Sequence, residues 1–165
     1  MPDAPTAQTR PFVLIIGFGV PGRAVAELLH FSNVEYCVIE KNDATVRRCA
    51  KGHEHIMSGD ATDAAVLRKA GIERATMIIV ALPDEEASLH VTRVARALTS
   101  TALIDTRCHY ISVGFEARAA GANDVVVAEQ VVAESMREKI ATMITEAPQP
   151  PPQQAPPQQA PPAHP

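Results

Sequence analysis

Three glycines, Gly17, Gly19 and Gly22, stand in a GxGxxG spacing directly after five apolar residues, Phe12-Val-Leu-Ile-Ile16. The chemistry that needs glycine at these places is anion binding by backbone. Gly17 permits a tight turn off a strand, Gly19 lets the chain approach a phosphate, and Gly22 lets the following helix pack against the strand. Pro21 falls in the first helical turn, where a missing N–H is tolerated. The helix that opens there directs its dipole and its unpaired N–H groups at the same spot. A second apolar run, Tyr36-Cys-Val-Ile39, ends in Glu40, 18 residues past Gly22. A carboxylate at roughly 20 residues accepts hydrogen bonds from ribose hydroxyls and disfavours a 2′-phosphate.

Each of these residues also has a plainer reading. A glycine turn serves as a tight loop, Glu40 as a solvated residue at a strand end, and Asp60 and Asp63 as helix caps, the last being the favoured role for Asp63. His53-Glu-His55 puts two imidazoles on one side of a strand, but no further Cys/His pair lies at a supporting spacing, so no metal site is expected. Cys37, Cys49 and Cys108 are odd in number and unpaired in spacing, which fits reduced thiols.

The elements that must position these residues alternate in type. After Glu40, Asn42 to Ala50 suits a short helix capped by Asn42 or Asp43 and ended by Gly52, followed by a strand over His53 to Met57. Gly59-Asp-Ala-Thr-Asp63 is a turn and cap, Ala64 to Ala70 a helix ended by Gly71, and Met77 to Ala81 a buried strand. Pro83-Asp-Glu-Glu86 opens an acid-rich helix that runs to about Leu98. A strand over Thr101 to Thr106, a helix over His109 to Ala120, a strand over Asp124 to Val127 and a helix over Glu129 to Thr145 complete the pattern.

Six strands alternating with helices define an α/β, doubly wound parallel sheet of the Rossmann type, with an extra C-terminal helix. By analogy with dinucleotide-binding folds the strand order is 3-2-1-4-5-6, and a ligand sits over the carboxyl ends of the strands. Those ends are Gly17 to Gly22, including Phe18, Val20 and Pro21; Glu40 with Lys41; Gly59 to Thr62, including Asp60 and Ala61; Ala81 to Asp84, including Leu82; and Arg107, which is as well suited to a surface ion pair. On the last helix Val131, Val132, Ser135, Met136, Ile140, Met143 and Ile144 recur at three and four residues. That stripe serves either a partner or the chain's own sheet.

Composition bounds the rest. One domain is expected over residues 11–146, preceded by a flexible lead-in over 1–10. From Ala147 onward the chain contains only Ala, Pro, Gln and His164, with nine of the fourteen prolines, and reads as a disordered tail. Nineteen acidic residues against fifteen Lys plus Arg, without a basic cluster, argue against nucleic acid. The longest apolar runs, Phe12 to Ile16 and Met77 to Leu82, are too short to span a bilayer, so direct membrane insertion is not expected.

Taken together, these landmarks resemble the N-terminal domain of regulators of K+ conductance, also called the KTN or TrkA-N domain. The resemblance rests on Ile16-Gly-Phe-Gly-Val-Pro-Gly22, Val38-Ile-Glu40, Gly59-Asp-Ala-Thr-Asp63, Leu67-Arg-Lys-Ala-Gly-Ile72, Ala75 to Leu82, Arg107 and Ala119 to Val126. It covers about residues 12–143. It implies a cytoplasmic regulator of a potassium channel, uptake system or Kef-type antiporter, held at the membrane through that partner. It also implies an adenine nucleotide ligand, NAD/NADH or AMP, ADP or ATP, and assembly into homodimers or larger rings. Carried over by position, Gly17, Phe18, Gly19 and Gly22 face the phosphates, Glu40 the ribose, Asp60 and Ala61 the adenine, and Arg107 lies near the phosphates.

There are departures from the family pattern. Val20 stands where many ATP-responsive members have Arg, and Ser88 where relatives commonly have Asn. No second ligand-binding domain of the kind found in Trk subunits follows residue 146, which leads to the expectation of a stand-alone sensor or a fragment-sized regulator whose membrane partner is encoded separately. Two other function classes stay open at the level of sequence. One is a small NAD-dependent oxidoreductase, for which His109 and Tyr110 are the candidate groups although they form no recognisable catalytic pattern. The other is an adaptor that uses the Pro/Gln tail and holds the nucleotide as a structural ligand.

Overall fold

The computed structural model describes residues 10–49 and 55–146. A six-stranded, all-parallel sheet in the order β3-β2-β1-β4-β5-β6 runs through it. The strands are β1 (Phe12–Ile16), β2 (Glu35–Glu40), β3 (Ile56–Ser58), β4 (Met77–Val80), β5 (Leu103–Cys108) and β6 (Asp124–Val127). The helices are α1 (Val20–Phe31), α2 (Asp43–Cys49), α3 (Ala64–Lys69), α4 (Glu85–Leu98), α5 (Ile111–Ala119) and α6 (Ala128–Glu146), with a short 3-10 turn at Ile72–Arg74.

β1 lies at the centre because every residue in it can be buried. Phe12, Leu14 and Ile16 join one core with Leu67, Ile72, Ile78 and Val91, on the face covered by α3 and α4. Val13 and Ile15 join the other with Phe18, Ala26, Tyr36 and Val38, on the face covered by α1. Such two-sided burial is what selects an unbroken apolar strand over an alternating one. In register, Leu14 stands between Cys37 of β2 and Ile78 of β4.

The local starts and stops follow from side-chain chemistry. Asn42 Oδ1 accepts from the N–H groups of Ala44 (2.9 Å) and Thr45 (3.2 Å) and so caps α2. Asp63 accepts from Ala65 and caps α3, while Asp84 accepts from Ala87 and caps α4. Gly71, at φ +87°, ends the α3 segment in a left-handed conformation that glycine adopts without strain.

Three elements start two or more residues from the sequence expectation. β3 begins at Ile56 rather than His53, pairing Val38 with Ile56 and Glu40 with Ser58; His53, Ala50 and Gly52 lie outside the described residues. β5 runs Leu103–Cys108 rather than Thr101 to Thr106. The guanidinium of Arg96 holds the carbonyls of Thr99 (3.1 Å) and Ala102 (3.1 Å), which keeps the chain before Leu103 in a turn. Arg107 and Cys108 then pair with Val126 and Val127. α5 begins at Ile111 rather than His109, whose N–H instead donates to Glu85 Oε1 at 3.0 Å.

α6 is the outlier of the fold, since every residue from Glu129 to Glu146 is exposed. Val131, Val132, Met136, Ile140, Met143 and Ile144 are all exposed. Among the described residues no helix is long and apolar enough to cross a membrane.

Candidate functional site

Ladder hydrogen bonds continue past the carboxyl ends of the central strands and draw their loops together. Gly17 N–H donates to Ile39 O (2.8 Å), Ala81 N–H to Ile16 O (2.8 Å) and Gly59 N–H to Glu40 O (3.0 Å). The loops after β1, β2, β3 and β4 thereby surround one cavity of about 550 Å³. That volume is in the range of small-molecule sites.

The glycines are held by contact distances. Gly17 adopts φ +97°, and a Cβ on Gly22 would stand 2.0 Å from Gly17 O, so neither position admits a side chain at low cost. A Cβ on Gly19 would meet nothing nearer than Pro21 Cδ at 3.9 Å, which leaves the loop backbone open on that side. Gly19 is also the N-cap of α1 and supplies no side-chain cap, unlike the residues that open α2, α3 and α4. The first N–H groups of a twelve-residue helix therefore lack the side-chain acceptor that those helices have.

Glu40 ties the two halves of the cavity together. Its Oε2 accepts from Phe18 N–H at 2.8 Å and its Oε1 from Asn42 N–H at 2.7 Å. A carboxylate has about four acceptor positions, so two remain for ligand hydroxyls. The Phe18 ring is buried in the α1-side core with the guanidinium of Arg23 5.5 Å from it, and Arg23 Nε donates to Phe18 O at 3.1 Å.

At the rim Lys41 Nζ pairs with Asp60 Oδ2 at 2.6 Å, and Asp60 Oδ1 accepts from Thr62 N–H (3.0 Å) and Thr62 Oγ1 (2.7 Å). The hydrogen bond from Lys41, followed by those from Thr62, holds the Asp60 carboxyl well below the usual carboxylate range. The same pairing raises Lys41. Asp84 faces the cavity while capping α4, and Ser88, buried one residue past Ala87, returns its hydroxyl to Asp84 O at 2.7 Å.

Of the residues expected at the site, Gly17, Phe18, Gly19, Glu40, Lys41, Asp60, Ala61, Thr62, Ala81 and Leu82 border this cavity. Four do not. Val20 turns outward, 84% exposed. Gly22 lies buried against the Gly17 carbonyl and acts through close packing. Pro21 and Arg107 line a separate apolar groove of about 380 Å³ on the α1 face, with Val25, Ile79, Asp105 and Val131. Arg107 sits within β5 rather than at its end, donates to Leu82 O at 3.2 Å and stands 3.1 Å from His109 Nε2. Ala81 borders both the cavity and the groove.

Sequence reasoning missed Ile16 and Ile39, which the apolar runs hid as core, and Ala87. Ala87 lies three residues past the cap Asp84, and that spacing was the available signal. Among the described residues no cluster of His, Cys, Asp and Glu is suited to hold a metal ion.

Residues 13–128 match the TrkA-N domain family. The chain belongs to that family. This TrkA-N domain is 30% identical over 114 residues, 69% of its length, to a putative K(+) efflux antiporter KefB of Alkalimonas amylolytica. It spans 17% of that antiporter's length, and 14% and 23% of the length of two other relatives. Its fold superposes on the TrkA-N domain of the inner membrane protein YbaL from Escherichia coli with a TM-score of 0.75 at 25% identity, covering 81% of this chain and 99% of that one. It also superposes on the GsuK channel bound to NAD, with a TM-score of 0.70 at 28% identity, covering 89% of this chain and 28% of the channel. The same channel has been solved with ADP, at a TM-score of 0.65 and 31% identity over 85% of this chain and 35% of that one.

Proposed function

We propose that this TrkA-N domain is a cytoplasmic regulatory domain that binds an adenine nucleotide in the cavity at the strand ends and controls a potassium channel, uptake system or antiporter. The observation that carries the reading is the pairing of an uncapped α1 N-terminus on an open glycine loop with Glu40, whose carboxylate keeps acceptor positions free beside that loop. The first suits a phosphate and the second a ribose diol. The NAD and ADP held by GsuK, a channel of the same fold, support the class of ligand.

The cavity's charge favours few phosphates. Glu40, Asp60 and Asp84 face Lys41 as the one cation among the described lining residues, and Lys41 is already paired with Asp60. A monophosphate or an internal pyrophosphate meets less repulsion there than a triphosphate does. The oxidoreductase alternative finds no support in the placement of its candidates, since neither His109 nor Tyr110 borders the cavity.

The partner in regulation is a second copy of this chain as well as the transporter. The unburied apolar stripe of α6 and the apolar groove at its base support a homodimer through that face. Regulation then follows from linkage, because a nucleotide that binds one arrangement of the dimer more tightly shifts the population toward it.

Calorimetric titration with AMP, ADP, ATP, NAD+ and NADH, with the assembly mass recorded in parallel, tests the proposal. Binding of one of them, weakened at least roughly tenfold by Glu40→Ala, is the expected result. Binding that ignores Glu40→Ala removes the carboxylate from the site. Failure of all five nucleotides refutes the reading.

A further inference from the structure

Glu40 closes β2 and Lys41 follows it, and both border the cavity at the strand ends. The two side chains suit opposite ligands. In dinucleotide-binding folds an acid at this place accepts from the ribose 2′-OH, whereas a basic group nearby accommodates a 2′-phosphate. A cavity that holds both needs a further group to decide between a free diol and a phosphorylated one.

Asp60, in the loop after β3, is that group. Parallel pairing of Glu40 with Ser58, continued by Gly59 N–H donating to Glu40 O at 3.0 Å, brings this loop beside the end of β2. Thr62 fixes Asp60 Oδ1 through its N–H (3.0 Å) and its hydroxyl (2.7 Å), and Asp60 Oδ2 faces Lys41 Nζ at 2.6 Å. The contact adds little to stability, since the Lys41 side chain is 76% exposed and that of Asp60 41%. Its effect is on charge. Two carboxylates, Glu40 and Asp60, against Lys41 leave this side of the cavity net negative, where Glu40 and Lys41 alone would cancel. A phosphate monoester, with a charge of about −1.5 to −2 at pH 7, responds to that difference, and a hydroxyl does not.

Resting on the adenine-nucleotide reading above, we infer that the Lys41–Asp60 pair determines ribose specificity, with Asp60 neutralising the cation that would otherwise offset Glu40 beside a 2′-phosphate. The cavity then takes nucleotides with a free 2′,3′-diol. Glu40 binds the diol, and Asp60 sets how strongly its phosphorylated counterpart is rejected.

The test uses the full chain and two matched ligand pairs, AMP with adenosine 2′,5′-bisphosphate and NAD+ with NADP+, each pair differing only by the 2′-phosphate. Calorimetry at low ionic strength gives the ratio of affinities within a pair, which cancels any loss of binding common to both members. The wild type is expected to favour the free diol by at least roughly tenfold in a pair that it binds. Asp60→Asn keeps an oxygen for Thr62 and removes the charge, and it should cut that ratio roughly tenfold, an effect that shrinks with added salt. Adding Lys41→Gln to Asp60→Asn restores the wild-type net charge and should return the ratio to about its wild-type value. A ratio that Asp60→Asn leaves unmoved overturns the inference, while binding of AMP or NAD+ leaves the nucleotide reading standing. A fall that persists in the double variant also overturns it, because Lys41 then plays no part. A wild type that binds neither AMP nor NAD+ overturns the nucleotide reading and this inference with it.

Discussion

Replacing Glu40 by Gln changes one atom and keeps the shape of the side chain. In the wild type the carboxylate accepts two backbone N–H groups, from Phe18 at 2.8 Å and Asn42 at 2.7 Å. A Gln side chain has one oxygen, so one of those N–H groups must face an NH2 donor. A hydrogen bond to a charged acceptor contributes about 1.5–3 kcal/mol, and the partial exposure of this pair places the loss near the lower end, at about 2 kcal/mol. For a domain of this size about 4 °C accompanies each kcal/mol, so the thermal midpoint should fall by roughly 8 °C. Urea denaturation followed by far-UV circular dichroism measures the same loss at constant temperature, with an unchanged m-value expected. Nucleotide affinity should fall with it, because the loop that presents the phosphate site is held by the altered group. A midpoint within roughly 2 °C of wild type would refute the reasoning. It would mean that water satisfies both N–H groups and that Glu40 does not brace the glycine loop.

Gly22→Ala would drive a methyl to 2.0 Å from Gly17 O, where only backbone can give way. A loss of about 3 kcal/mol or more in denaturant unfolding is expected, and an unchanged midpoint would show that α1 slides away freely. Met136→Glu with Ile140→Glu, both at exposed positions of α6, should leave thermal stability within roughly 2 °C while converting dimers to monomers in analytical ultracentrifugation. Dimers that persist would exclude the α6 face. Burial, and then the nearby charge of Asp124, raises the Asp105 pKa, so folding strengthens this carboxyl's hold on its proton. Its charge therefore opposes folding above the usual aspartate range, and that penalty fades as the pH falls through the raised value. Asp105→Asn should be more stable than wild type at about pH 7, with the difference shrinking as the pH falls toward the usual aspartate range in paired denaturant titrations.

The sheet was legible because its instructions are local. Phe12 to Ile16 could be buried on both faces, the glycines followed at once, and Asp63 and Asp84 announced the helices they cap. The cavity was legible for the same reason, since a parallel sheet brings its loops to one end. What escaped depends on side chains reaching across the fold. Nothing near Thr101 in sequence discloses that Arg96 will hold the Thr99 and Ala102 carbonyl oxygens and delay β5. Arg107 and Pro21 stand next to loop residues in sequence or in the sheet, yet they face the α1 side of it, a distinction that needs the register of β5 rather than its composition. The Lys41–Asp60 pair joins two loops whose proximity is set by the β2–β3 pairing. Tyr36 read as one more apolar strand residue, because sequence does not disclose that its hydroxyl ends without a partner.

Ala81 borders the proposed nucleotide cavity on one side and the α6 groove on the other, and the neighbouring Leu82 carbonyl is held by Arg107 from the groove side. Under the proposed function, the nucleotide and the second copy would meet across this single residue. Whatever factor a nucleotide applies to self-association, self-association must return to nucleotide affinity. The proposed function therefore predicts an apparent nucleotide dissociation constant that depends on protein concentration. Titrations run with dilute and with concentrated protein should yield two values whose ratio is itself the strength of the signal.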